Sequence, residues 1–92
     1  MREARRTCTI VNQRGLHARA SAKFVGAVAA LPDGCTVKVV RGTNEAVGGS
    51  ILGLMMLGAA KGDTVDVVVA GDNADAVLGQ LCALIDDGFG ED

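Results

Sequence analysis

Short segments of two kinds alternate along the chain, and this alternation limits its possible folds more than any other feature. Four segments rich in β-branched residues favour strands: 7–12, 35–40, 45–47 and 64–70. The last of them, TVDVVVA, is the most strongly β-prone run in the chain. The sequence therefore predicts four strands.

The segments between these strands carry helical signals. From 17 to 31, apolar residues recur every three or four positions, which is typical of one buried helix face. Ser50 is a natural N-cap for the apolar segment 51–57, and Gly53 limits that helix to one or two turns. GDN at 71–73 then caps a last helix whose apolar residues share one face.

The resulting order, β-α-β-β-α-β-α, predicts an α+β fold. We expect a four-stranded, largely antiparallel sheet with three helices on one face. The 92 residues suit a single domain over 1–92. Phe24 and Phe89 are the only aromatic residues, so the core must be built from Val, Leu, Ile and Ala. The closing GFGED, residues 88–92, is expected to be a frayed acidic tail.

Composition excludes several classes of function. No apolar run approaches the roughly 20 residues that cross a bilayer, and the charged start, MREARRTCTIVN, does not have the pattern of a secretory signal. Cys8, Cys35 and Cys82 lack a CxxC motif, which favours buried free thiols in a reducing cytoplasm over a metal or redox site. Without Tyr or Trp, a nucleic-acid surface is not expected.

Charge is divided unevenly between the two parts of the chain. Residues 1–41 contain eight Lys and Arg against two acids, whereas residues 42–92 contain Lys61 alone against nine acids. His17, the only histidine, lies in the basic part. Such surroundings suit an anionic group or an acidic protein partner.

His17 stands where the first helix is predicted to begin. A lone histidine there is often merely a solvated residue, and the absence of a second histidine disfavours a metal site. A helix N-terminus, however, offers unpaired N–H groups and a partial positive charge to a phosphate. A neutral imidazole at that place can act as a nucleophile towards phosphorus. Arg19 can donate hydrogen bonds to the oxygens of that phosphate. Gly15 lets the turn before the helix, here called the entry turn, adopt whatever φ it needs.

Two segments resemble the HPr family, the phosphocarriers of bacterial phosphotransferase systems. GLHAR, residues 15–19, is similar to that family's phosphorylation motif, and GGSILGLMMLGAAKGD, residues 48–63, resembles the block around its regulatory serine. The resemblance covers essentially the whole chain and implies the family's open-faced β-sandwich. Ala20 replaces the family's usual proline, and HARAS resembles the nitrogen-related, NPr-like branch.

The resemblance implies roles for three residues. His17 matches the histidine that accepts a phosphoryl group on Nδ1 from Enzyme I and passes it to an EIIA-type protein. Arg19 matches the arginine that steadies this group. Ser50 matches the serine that an HPr kinase/phosphorylase modifies in some bacteria, although Gly49 stands where lysine is common. The implied protein is a cytoplasmic, monomeric carrier rather than an enzyme, with no cofactor and no metal.

The segment 51–57 carries six large apolar residues, too many for one buried stripe on a two-turn helix. We expect most of them to pack in the core and the others to form an adaptable docking patch near His17. The residues expected to contact partners are Gly15, Leu16, Ala20, Ile51, Leu52 and Met55.

Two other functions stay open on the residues alone. One is a regulatory module of the same fold that acts through contacts dependent on Ser50. The other is an α+β domain that binds a small anion through His17 and Arg19.

Overall fold

The computed structural model describes residues 3–91 and has the predicted element order. The elements are β1 (Glu3–Thr9), α1 (Ala18–Ala29), β2 (Thr36–Arg41), β3 (Asn44–Val47), α2 (Ile51–Met56), β4 (Thr64–Ala70), α3 (Ala74–Asp86) and a closing 3₁₀ turn (Gly88–Gly90). The strands form one antiparallel sheet in the order β1-β4-β2-β3. The predicted fold class is confirmed.

The valine-rich β4 is the centre of the sheet. It pairs with β1 on one side and with β2 on the other, so that Val67 lies opposite both Arg6 and Val39. Val65, Val67 and Val69 alternate along one face and are buried, because side chains of a strand alternate between the two faces. The helices cover this face: α3 packs on β1 and β4, and α1 packs on α2 and α3.

The first strand has different ends from the predicted segment 7–12. Glu3 to Thr9 pair residue by residue with Ala70 to Thr64 of β4. This ladder extends the strand through charged residues that their own propensity would leave outside it. On the exposed face, Arg5 also donates to Asp66 across the pair, with 2.7 Å between Nη2 and Oδ2. Pairing with β4 therefore sets the boundaries of β1.

The second helix exposes more of its apolar residues than expected. Leu54 and Leu57 are buried, whereas Ile51, Leu52, Met55 and Met56 are 40%, 68%, 39% and 76% exposed. The expectation that most of segment 51–57 packs in the core is wrong, because a six-residue helix lying against one neighbouring helix buries only one stripe.

The prediction of a frayed tail is also wrong for residues 88–91. Phe89 is only 1% exposed, and the ammonium group of Lys23 donates to its carbonyl oxygen. Burying a phenylalanine side chain stabilises by about 1.5–3 kcal/mol, which offsets the roughly 1–2 kcal/mol cost of a left-handed residue; Phe89 has φ 58°. Both phenylalanines thus join the aliphatic core. Asp92 lies outside the described residues.

The three cysteines are free thiols. Cys8 and Cys82 are buried, as expected, whereas Cys35 is only half-buried. No helix within residues 3–91 is long and apolar enough to span a membrane.

Candidate functional site

The loop before α1 is fixed against the loop before β4. The amide of Leu16 donates to the carbonyl of Ala59 at 3.0 Å, and the amide of Ile10 donates to the carbonyl of Asp63 at 2.9 Å. Within the first loop, Asn12 Nδ2 donates to the carbonyl of Gly15 at 2.8 Å. These bonds hold the residue that follows Leu16, namely His17, in a defined position.

Gly15 is the tightest point of this packing. Its φ is +64°, and a Cβ there would lie 2.3 Å from the carbonyl oxygen of Ala59 and 2.8 Å from Cα of Ala60. No side chain fits in that space, and L residues rarely adopt such a φ. The glycine in front of the histidine is therefore required by both space and backbone conformation.

His17 is the N-cap of α1. Its backbone is extended (φ −75°, ψ −179°), and its Nδ1 accepts a hydrogen bond from the amide of Arg19 at 3.2 Å. Nδ1 is thus an unprotonated acceptor that points at the first turn of a 12-residue helix. The N–H groups of such a turn attract negative charge, so a negatively charged group bound at Nδ1 would face them.

The other ring nitrogen contacts the C-terminal segment. His17 Nε2 lies 2.6 Å from Oε2 of Glu91, and both side chains are largely shielded, at 22% and 18% exposed. A carboxylate only accepts, so Nε2 must be the donor. The two contacts together select the neutral ring with its proton on Nε2 and a free electron pair on Nδ1.

Glu91 is held in its ionised form. Burial opposes ionisation of its carboxyl group, but hydrogen bonds from His17 and Asn12 outweigh this and lower the pKa of Glu91 below its ordinary value of 4.5. Asn12 Nδ2 lies 3.3 Å from Oε1, and the same nitrogen donates to Gly15. One buried amide therefore connects the entry turn to the carboxylate that faces the histidine.

Positive side chains surround the exposed edge of the ring. A cleft of about 400 Å³ is lined by Gln13, Arg14, His17, Arg19, Lys23, Gly90 and Glu91. Within residues 3–91, the guanidinium groups of Arg14 and Arg19 make no side-chain hydrogen bond or ion pair, so both are available to an anion. Three cations and a helix N-terminus beside an unprotonated nitrogen suit a phosphoryl group.

Ser50 is the N-cap of α2, as predicted. Its Oγ accepts from the amide of Gly53 at 2.9 Å, and the residue is half-buried. A Cβ at Gly53 would lie 3.0 Å from that oxygen, so glycine there leaves room for the cap. The exposed face of α2 begins at the next residue. We call its four exposed residues the α2 patch: Ile51, Leu52, Met55 and Met56.

Three residues expected to contact partners are buried. Leu16 is 7% exposed, Ala20 is fully buried, and Gly15 packs against the backbone of the 58–63 loop. The side chains of Leu16 and Ala20 lie in the protein interior and Gly15 is covered by backbone, so these residues help to position His17. Ile51, Leu52 and Met55 are exposed. α2 packs on α1, the helix that His17 caps. The closeness of Leu52 or Met55 to His17 itself stays a prediction.

Sequence reasoning missed Glu91, Asn12 and Lys23. Glu91 and His17 are 74 positions apart, and no local pattern joins them. The available signal was Phe89: a large aromatic residue in a tail of glycines and acids indicates that the tail is anchored. Within residues 3–91, no group of three or more His, Cys, Asp or Glu side chains is arranged to hold a metal ion.

Solved structures share the whole fold. The crystal structure of HPr-C-His from Thermoanaerobacter tengcongensis superposes with a TM-score of 0.86 at 33% identity and covers 100% of this chain and 99% of its own. The phosphocarrier protein HPr from Bacillus anthracis gives a TM-score of 0.84 over 92% of this chain and 99% of its own. At 21% identity, that second likeness shows the fold alone.

Sequence relatives are similarly complete. The family model for the PTS HPr component phosphorylation site matches residues 4–87. A phosphocarrier protein NPr of Shewanella violacea is 40% identical over 91 residues, which are 99% of this chain and 98% of the relative. A phosphocarrier protein HPr of Pseudomonas aeruginosa is 44% identical over 84 residues, 90% of this chain and 91% of the relative. The chain therefore belongs to the HPr family, whose members are phosphocarrier proteins of the phosphotransferase system rather than enzymes.

Proposed function

We propose that His17 accepts a phosphoryl group on Nδ1 from phosphorylated Enzyme I and passes it to an EIIA-type protein. One observation carries this proposal: the ring's Nδ1 is an unprotonated acceptor at the first turn of α1, while Nε2 donates to Glu91. The nitrogen that must attack is thus free of a proton before the reaction starts.

The transfer needs no proton to leave the ring. The electron pair of Nδ1 attacks the phosphorus, the bond between phosphorus and the donor atom of Enzyme I breaks, and that atom keeps the bonding electrons. His17 then carries the phosphoryl group on Nδ1 and the original proton on Nε2, so the ring is cationic. The Glu91 carboxylate, 2.6 Å from Nε2, neutralises that charge as it develops. A protonated ring is also the better leaving group for the second transfer.

The first turn of α1 supplies the contacts for the phosphoryl oxygens. When Nδ1 bonds to phosphorus, the Arg19 amide loses its acceptor and is free to donate to a phosphoryl oxygen instead. The guanidinium group of Arg19 has no competing partner within residues 3–91 and can add a charge-assisted bond. Arg14 faces the same cleft. The positive charges of Arg14 and Arg19 thereby offset the negative charge of the transferred phosphoryl group.

Docking is assigned to the α2 patch, whose four residues stay exposed although they are apolar. Two of the four are methionines, which adapt to differently shaped partners. A carrier must bind Enzyme I and then an EIIA-type protein with one surface, so an adaptable patch suits the task. We expect the chain to act as a monomer in the bacterial cytoplasm, because permanent assembly would cover this surface.

The second candidate function is regulation at Ser50. Its Oγ lies at the edge of the α2 patch and caps α2 through Gly53. A phosphate there would add about two negative charges at the docking surface. Such a group would repel an acidic partner without unfolding the domain. Gly49 weakens the case for recognition by an HPr kinase/phosphorylase, since lysine is common there in the family.

The test is a mass measurement after incubation with phosphoenolpyruvate and purified Enzyme I. We expect the mass of one phosphoryl group to be added, to be lost in acid, to be absent in His17→Ala and to persist in Ser50→Ala. Adding an EIIA-type protein should then remove the group from the carrier.

Other outcomes select other functions. An acid-stable group formed only with an ATP-dependent kinase, and absent in Ser50→Ala, would favour the regulatory module. No modification by either enzyme would favour the small-anion-binding domain. Sugar-type and nitrogen-type EIIA proteins offered in separate reactions would identify the downstream branch.

A further inference from the structure

Two thiols that phosphoryl transfer does not use face each other in the core. Cys8 lies on β1 and Cys82 on α3, with 3.0 Å between their sulfur atoms. Both are almost fully buried and free. The remaining cysteine, Cys35, is half-buried and donates to the carbonyl of Asp72 instead. The fold thus brings together two cysteines that are 74 positions apart in the sequence.

We propose that Cys8 and Cys82 are an oxidative modification site that closes to a reversible disulfide. A disulfide has its sulfur atoms about 2.05 Å apart, so the pair needs to approach by roughly 1 Å more. Small changes of side-chain torsion on facing elements supply such a movement. Because β1 and α3 already pack on each other, the bond requires no rearrangement of the fold.

A peroxide is the oxidant by chemical class. One thiol attacks a peroxide oxygen, the O–O bond breaks, and a sulfenic acid and one water form. The second thiol then attacks the sulfenic sulfur, the S–S bond forms, and the hydroxyl group leaves as a second water. Two thiols and one hydrogen peroxide therefore yield one disulfide and two waters.

The pair is expected to react slowly. Burial, together with the hydrogen bond that the Cys8 thiol donates to Cys82, raises the pKa of Cys8 to about 12, so its thiolate is scarce near neutral pH. Both sulfur atoms are also shielded from bulk solvent. Sustained oxidant is needed, and brief exposure leaves the thiols intact.

The bond would fasten the element that leads to the C-terminal turn. α3 ends at Asp86, directly before the 3₁₀ turn that carries Phe89 and leads to Glu91. A link that closes so long a loop restricts the unfolded chain strongly, so the oxidised protein should melt about 10 °C or more above the reduced protein. The phosphoryl site itself is not altered.

The experiment follows free thiols after oxidation. The full chain is incubated with hydrogen peroxide for minutes and for hours, denatured, treated with N-ethylmaleimide and analysed by peptide mass spectrometry. After hours of oxidation we expect a linked peptide pair containing Cys8 and Cys82, with no maleimide on either; because the more exposed Cys35 can be oxidised separately, the mass decrease of about 2 Da is measured in Cys35→Ser. Cys35→Ser is the matched control and should form the same link.

A second measurement does not depend on peroxide reaching the buried sulfur atoms. The reduced, unfolded chain is refolded in a mixture of reduced and oxidised glutathione, where the link forms before the core closes. The Cys8–Cys82 link should again dominate, and Cys82→Ala should leave Cys8 free. Linkage through Cys35, dimers joined by sulfur, or three free thiols after refolding would each overturn the proposal.

Discussion

Replacing Gly15 by alanine tests whether the entry turn positions His17. The added Cβ would lie 2.3 Å from the Ala59 oxygen and 2.8 Å from Cα of Ala60, so one of the two loops must move. The hydrogen bond from Leu16 to Ala59 would be lost with that movement. Gly42 provides the matched control, because it has almost the same φ, +61°, and open space around its Cβ position.

The two substitutions share one cost and differ in another. A left-handed alanine costs about 1–2 kcal/mol at either place. At Gly15, overpacking adds about 1–3 kcal/mol and the lost hydrogen bond about 0.5–1.5 kcal/mol. Gly15→Ala should therefore lower the free energy of unfolding by roughly 3–6 kcal/mol, and Gly42→Ala by only about 1–2 kcal/mol.

Thermal unfolding and phosphoryl transfer measure the two consequences. The Tm of Gly15→Ala should lie roughly 10 °C or more below that of Gly42→Ala. At a temperature where both variants are folded, Gly15→Ala should accept the phosphoryl group about 10- to 100-fold more slowly, because a displacement of 1 Å has effects of that size. Equal Tm values, or an equal rate with Enzyme I, would show that close packing at Gly15 does not position His17.

Four further predictions concern the tail and the docking surface. Glu91→Gln should slow phosphoryl acceptance several-fold while Glu45→Gln, an exposed control, leaves it unchanged; initial rates with Enzyme I check this. Phe89→Ala should lower the free energy of unfolding by about 3–5 kcal/mol, measured with urea. Leu52→Asp should slow transfer from Enzyme I without changing Tm, since the residue is 68% exposed. Because folding lowers the pKa of Glu91, the stability that its carboxylate contributes is fully present above pH 4.5 and is lost as the pH falls below that value. The Tm difference between wild type and Glu91→Gln should therefore shrink from pH 6 to pH 3.

Local signals predicted the elements that carry their own pattern. The valines of β4 and the capping serine of α2 were placed correctly, since a β-prone run and an N-cap need only neighbouring residues. His17 as the start of α1 belongs to the same group. That its side chain caps the helix was not predicted, because histidine is not among the residues preferred at an N-cap.

Distant contacts set the features that were not predicted. β1 extends to Glu3 because β4 is long enough to pair with it. The position of Glu91 depends on the burial of Phe89, which in turn depends on the complete core. Half of the candidate site, the side of the ring at Nε2, therefore comes from tertiary structure that no local pattern of the chain encodes.

The most direct test of phosphoryl transfer to Nδ1 of His17 is ¹⁵N NMR of the protein labelled at histidine, before and after phosphorylation. Since His17 is the only histidine, its resonances need no assignment. We expect a neutral ring protonated at Nε2 before the reaction and a phosphoryl group on Nδ1 afterwards. A free ring protonated at Nδ1, or phosphorus bonded to Nε2, would contradict it.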